Sequence, residues 1–117
     1  MLMSLLGSKT RSIVLFKDLT LATNLWTRMK GLLGTQSLTA DQAMWIHRCQ
    51  SIHTFFMKFA IDCVFVDQNL TVVDVVEQVV PSRIVFPRYK ASSVIEMNAG
   101  EARAKGIYKG EQLYVDC

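Results

Sequence analysis

The sequence predicts an α+β domain dominated by sheet. Three observations carry that expectation. Short runs of β-branched and aromatic residues recur between turn residues, as in Ile61 to Val66 and Leu70 to Val80. One amphipathic stripe in the N-terminal half fits a helix, and one short C-terminal segment opens like a capping box. Six or seven short strands with two short helices suggest a small, partly closed barrel-like sheet, because curling removes exposed edges.

The chain has 117 residues, which points to one domain. Residues 1–11 read as a loose tail and 12–117 as the domain. Ile13, Val14, Leu15 and Phe16 form the first strand candidate. Lys17-Asp18 can turn it into a second, where Leu19 and Leu21 alternate with Thr20 and Ala22. Leu25, Trp26, Met29, Leu32 and Leu33 share one helical arc, capped by Thr23 or Asn24 and ended by Gly34. Gly31 inside that helix costs about 1 kcal/mol against alanine. Either a close backbone approach or tolerance near a fraying end explains it. Thr35 to Gln42 is a loop, and Met44-Trp45-Ile46 is a short apolar piece.

Loop continues to about Phe55, with strand after it. From there Ile61, Cys63 and Phe65 point one way and Asp62, Val64 and Val66 the other. Asp67-Gln68-Asn69 makes the turn. Leu70 to Val80 also fits a helical stripe, but its six valines are stiff and favour a pleated surface, with a bulge partway. Pro81 ends it. Ser82 to Lys90 crosses as a loop with strand character at Ile84-Val85-Phe86, and Ser93 to Met97 is a strand. Asn98 and Glu101 open the short helix, Gly106 closes it, and Gln112 to Val115 is the last strand.

The net charge of +3 is mild and the basic residues are scattered, so no nucleic-acid partner is expected. Three cysteines without repeated spacing argue for a reducing compartment. The first residues have no basic stretch and too short an apolar run for a signal peptide or membrane span, so a cytoplasmic address is expected. No glycine-rich phosphate loop and no Gly-x-Ser-x-Gly occurs, which weakens nucleotide-enzyme and serine-hydrolase readings.

Chemistry concentrates in the run from Cys49 to Asp62. His47, Cys49, His53 and Met57 have spacings of two and four, yet paired ligand spacing and a fourth ligand are missing. No metal or cofactor is expected. Cys49 with His53 could be a nucleophile and its base, or a small buried thiol beside a backbone-bonded imidazole. Asp62 needs a partner if buried, and Arg28, Lys58 or a backbone amide could serve. Glu96 poses the same question and leans structural. The candidate binding set is Cys49, His53, Thr54, Met57, Lys58 and Asp62, with Arg28 and Glu96 as neighbours.

Arg28-Met29-Lys30-Gly31-Leu32-Leu33-Gly34, Met44-Trp45-Ile46, the Ser51-Ile52-His53-Thr54-Phe55-Phe56-Met57-Lys58-Phe59 run and Val94-Ile95-Glu96-Met97 resemble the DUF192 family, also called UPF0127. The resemblance runs from about Ala22 to Val115. The Ile-His-Thr-Phe-Phe-Met run resembles one subgroup; other members have a Trp-Met-Lys-Asn type of run there. The resemblance implies a compact, β-rich α+β domain of unknown biochemical function. Many members carry a leader that the first residues here do not resemble. Arg48 and Ala60 stand where the family run usually has proline, and His47 is not a family position, which undercuts a metal site built on it.

Three functions follow as expectations. The favoured one is a non-enzymatic domain binding a small molecule or peptide in a cleft beside residues 49–62. The second is an enzyme using Cys49 with His53, or Asp62 with Lys58. The third, suggested by the resemblance, is an accessory protein of an envelope or a secretion or pilus assembly, recruited by a protein partner.

Overall fold

Apolar residues two apart build strands through most of the chain. The computed structural model describes residues 4–22, 38–47, 52–54 and 57–116. Nine strands lie within them: β1 (Ser4–Ser8), β2 (Ile13–Ala22), β3 (Gln42–Ile46), β4 (Ile52–His53), β5 (Ile61–Val66), β6 (Val72–Val79), β7 (Ile84–Val85), β8 (Ser93–Asn98) and β9 (Leu113–Asp116). One single-turn helix, α1 (Glu101–Ala104), stands between β8 and β9.

Seven strands form one sheet in the order β6-β5-β8-β3-β2-β1-β9, while β4 and β7 form a separate antiparallel pair. Neighbours in the large sheet are antiparallel except β2 and β3, where Leu19 lies beside Ala43 and Leu21 beside Trp45. The sheet curls into a half-barrel. Its two edges meet at one corner through a bridge between Thr71 and Gln112. There the amide of Val72 donates to the Glu111 carbonyl at 2.9 Å, and that of Leu113 to the Leu70 carbonyl at 2.9 Å. Backbone groups at both edges are thereby paired where strands would otherwise stop.

Both faces of the central strands are buried. One face carries Leu6, Phe16, Val64, Val66, Ile95, Met97 and Leu113, with Ala102 of α1 against them. The reverse face carries Met44, Ile46, Ile61, Cys63, Phe65 and Val94, covered by Ile52, Met57 and Val85. The alternation expected along β5 is therefore present, with partners on each side. Each fully buried large side chain contributes about 1.5–3 kcal/mol.

The expected α+β balance requires correction. The described chain is nearly all sheet, and its N-terminal half holds no helix among the described residues. The helix expected from Leu25 to Leu33 lies outside them. The C-terminal helix is one turn long because Gly100 (φ 93°) and Gly106 (φ 66°) bracket it in left-handed conformations. Sheet gains instead at the start. Ser4–Ser8 belong to no loose tail but form β1, between β2 and β9, with Leu6 fully buried. Its residues, Ser4-Leu5-Leu6-Gly7-Ser8, include a glycine and no β-branched or aromatic side chain, so the segment does not read as a strand. Lys17-Asp18 makes no turn either, since β2 runs unbroken from Ile13 to Ala22 and the hairpin bends at residues 9–12.

Candidate functional site

The central run is held in place by Thr54. Its side chain is fully buried, and its hydroxyl donates to the Val80 carbonyl at 2.7 Å while accepting from the Arg83 amide at 2.8 Å. Its own amide donates to the Arg83 carbonyl at 2.8 Å, and its carbonyl accepts from Ser82 and Met57 at 3.0 and 3.2 Å. One threonine thus clasps the run to the connection between β6 and β7. Met57 then enters the reverse-face cluster, whereas Lys58 stands exposed. Cys49, Arg28 and the His53 side chain lie outside the described residues.

Asp62 and Glu96 are both fully buried, on opposite faces of the sheet. Asp62 alternates with Ile61 and Cys63, so it faces α1. One carboxylate oxygen accepts from the Gln78 amide at 2.7 Å. The other accepts from the amides of Gly100 at 2.9 Å and Ala102 at 3.0 Å. Asp62 therefore caps α1 from a neighbouring strand, a role the sequence suggests for Asn98; the N-cap is Gly100 and makes no side-chain cap bond. Glu96 sits across from Met44 on one side and Cys63 on the other, which puts it on the face carrying Met57. The fold thus brings Thr54, Met57 and Glu96 to the side covered by β4 and β7, and sends Asp62 to the other.

Several hollows open among the described residues. The first, of about 340 Å3, runs between β6 and β7 and is lined by Val76, Val80, Ile84, Phe86, Arg83 and Arg88 among others. Phe86 is 73 % exposed and Ile84 58 %. Arg88 pairs with Asp74 at 2.8 Å and lies 5.2 Å from the Phe65 ring centre. Glu77 pairs with Arg103 at 3.2 Å, which raises that guanidinium above its ordinary value, by hydrogen bond first and charge second. Among the groove's charged residues, Arg83 has no ion pair within the described residues. The second hollow lies by Trp45 and His47, whose ring centres are 4.7 Å apart.

The DUF192 family, described as "Uncharacterized ACR", matches residues 8–115. This chain belongs to DUF192. No curated protein matches it. A crystal structure of a protein of unknown function from Novosphingobium aromaticivorans DSM 12444 is similar to it at 21% identity and a TM-score of 0.79, covering 94% of this chain and 83% of that one. A candidate transcription regulator from Sinorhizobium meliloti 1021 is similar at 23% identity and a TM-score of 0.81, covering 96% and 91%. At these identities the likeness shows a shared fold alone.

Among the described residues of this DUF192 domain, no group of three His, Cys, Asp or Glu is placed to hold a metal ion. No helix among them is long and apolar enough to cross a membrane. The binding set expected from the sequence does not include the residues that line the hollows, although His47 stands among the metal ligands weighed there and Ile84-Val85-Phe86 reads as strand. Ile84 and Phe86 alternate in a crossing loop, a pattern that could have marked an exposed strand edge. Trp45 and His47 share one side of a strand end, two residues apart. Nothing in their spacing points across the chain to Asp67 and Ser92.

Proposed function

We propose that this DUF192 domain is a non-enzymatic binding module that takes an extended peptide in the groove beside its central run. The observation that carries this reading is the pair of strand borders on either side of the groove. β6 is an edge of the large sheet, and β7 pairs only with β4 among the described residues. Unpaired strand edges offer main-chain hydrogen bonds to an added strand, and flanking pockets select its side chains. Val80, Ile84 and Phe86 supply exposed apolar surface there. Contiguous exposed apolar surface of this kind marks interaction sites. Arg83, without an ion pair among the described residues, adds a cation to meet a carboxylate, so the occupant is a peptide with alternating apolar residues and one acidic group. Thr54 fixes the connection between β6 and β7 that borders the groove.

Selection of a random peptide library on the purified domain tests this. Apolar, acidic peptides should emerge, and fluorescence polarisation should show binding weakened roughly tenfold by Phe86→Ala, which removes an exposed aromatic anchor. Arg83→Glu should reduce binding of acidic peptides and spare their neutral analogues. Selection that returns no peptide, or peptides indifferent to both substitutions in a folded protein, refutes the reading.

A further inference from the structure

A second hollow lies away from the peptide groove, at the turn between β5 and β6. It measures about 460 Å3 and is lined by Trp45, His47, Asp67, Gln68, Ser92 and Ser93. That volume falls within the roughly 300–1,000 Å3 of small-molecule sites. Asp67, Gln68 and Ser92 also line an adjoining, more open hollow that ends at Tyr89 and Lys90. Tyr89 is 91 % exposed, so no described side chain covers its ring.

The walls are fixed before any ligand arrives. Asp67 accepts from the amides of Asn69 at 2.9 Å and Thr71 at 3.0 Å, both through Oδ1. Its Oδ2 has no hydrogen-bond partner among the described residues and stays available at the wall. Trp45 Nε1 donates to the Ser93 hydroxyl at 2.9 Å, which locks the indole. His47 lies tilted against that indole. Leu70, also in the lining, holds φ at 62°, a conformation leucine rarely adopts. Non-glycine residues persist in that region where surrounding structure demands it, often at ligand sites.

We infer that this hollow binds a neutral sugar ring. Trp45 in this hollow and Tyr89 at the far end of the adjoining one, joined through Asp67, Gln68 and Ser92, offer aromatic surface to the C–H side of a pyranose, since aromatic side chains combine apolar area with a defined geometry. Between them stand a carboxylate oxygen, a primary amide, an imidazole and a hydroxyl. That mixture of acceptors and donors suits several adjacent hydroxyl groups rather than one charge. A phosphate or sulfate would meet one ammonium, Lys90, set against the carboxylate of Asp67. A wholly apolar ligand would strand those polar groups without partners.

A glycan array carrying neutral, amino-sugar, uronate and sulfated glycans, probed with the full chain, tests the inference. Binding should centre on neutral glycans. Titration of the best neutral glycan against labelled protein should shift the amide resonances of residues 45–47, 67–70 and 89–93. Gln68→Ala and Tyr89→Ala alter exposed side chains and should leave the melting temperature unchanged, while each weakens binding by roughly tenfold. Phe86→Ala should leave glycan binding intact, which separates this site from the peptide groove. Three outcomes overturn it: no neutral glycan bound, binding indifferent to Gln68 and Tyr89, or a preference for sulfated glycans abolished by Lys90→Ala.

Discussion

Asp62 shows how one side chain can look catalytic in a sequence and be committed elsewhere in the fold. Its neighbours are apolar, and a carboxylate among them must find donors. It finds three backbone amides, from β6 and from the start of α1. Asp62→Ala would leave those amides without their acceptor and should cost on the order of 3 kcal/mol. Asp62→Asn keeps one oxygen and should cost less. Urea unfolding reads both; equal stability of wild type and Asp62→Ala would refute the capping role. Gly7 presents the opposite case, a residue defined by what it lacks. A Cβ built there would run into the Tyr114 ring, which crosses it from β9. Gly7→Ala should therefore destabilise by about 1–3 kcal/mol through overpacking. Adding Tyr114→Ala should return part of that loss, and a double-mutant cycle isolates the coupling. Additive effects of the two changes would show that ring and glycine are independent.

Strands were legible in the sequence where their pattern was local. β5 shows its alternation directly, and β6 shows it through its valines, although the same valines also fit a helical stripe. β1 was not legible, because it holds a glycine and no β-branched or aromatic residue and its second partner is the far end of the chain. The continuity of β2 was missed because Lys17-Asp18 resembles a turn while serving as exposed and half-buried positions of a strand. Of the residues expected to share one site, Thr54, Met57 and Glu96 lie on one side of the sheet and Asp62 on the other, a split that follows from strand alternation across the whole sheet. The hollows draw on loops whose meeting depends on the whole sheet. The expected bulge in β6 is real, and it sits at Gln78, where φ is 55°. Register shifts along the β5–β6 pair, between Ile61 and Cys63, and the Gln78 amide turns to Asp62. A left-handed conformation costs a side chain roughly 1–2 kcal/mol. Gln78→Gly should accordingly stabilise the domain by about 0.5–1 kcal/mol, since the amide bond to Asp62 is kept. Gln78→Val, β-branched, should destabilise it. Leu70→Gly should bring no such gain, because Leu70 packs against the core facing α1. Thermal melting of the three variants checks the order; a Gln78→Gly protein less stable than wild type would show that the side chain carries weight of its own.

Across the whole molecule, the two ends of the chain close the sheet on each other. β1 is hydrogen-bonded to β9 on one side and β2 on the other, so it is an interior strand made of the first residues. The bend after β1 is fastened to the segment before β9. Lys9 donates its amide to the Gln112 carbonyl at 2.7 Å, and the Gln112 amide donates to the Thr10 hydroxyl at 2.9 Å. The buried Glu111 carboxylate accepts from the Ser8 hydroxyl at 2.6 Å and from Arg11 Nε at 2.5 Å. That contact raises the Arg11 guanidinium above its ordinary value. A cation raised in the folded state contributes stability below its unfolded value and loses it only as pH climbs through the folded one. The clasp is therefore constant well beyond neutral pH. A domain boundary drawn at Ser12, where sequence patterning alone would put it, cuts through this arrangement. Such a truncation removes Leu6 from the core, leaves β2 paired with β3 alone and takes from β9 its one strand partner among the described residues. It also removes Arg11 and Ser8 from a fully buried carboxylate, and an uncompensated buried charge costs about 3–5 kcal/mol by itself. Small domains hold only about 5–15 kcal/mol in total. A chain beginning at Ser12 should thus lose its cooperative urea transition and bind hydrophobic dye. A chain with Ser8→Ala alone should stay folded, with a lowered midpoint. A truncated chain that unfolds cooperatively at the wild-type midpoint would mean that the half-barrel closes without β1, and the joining of its two ends would then be incidental to its stability.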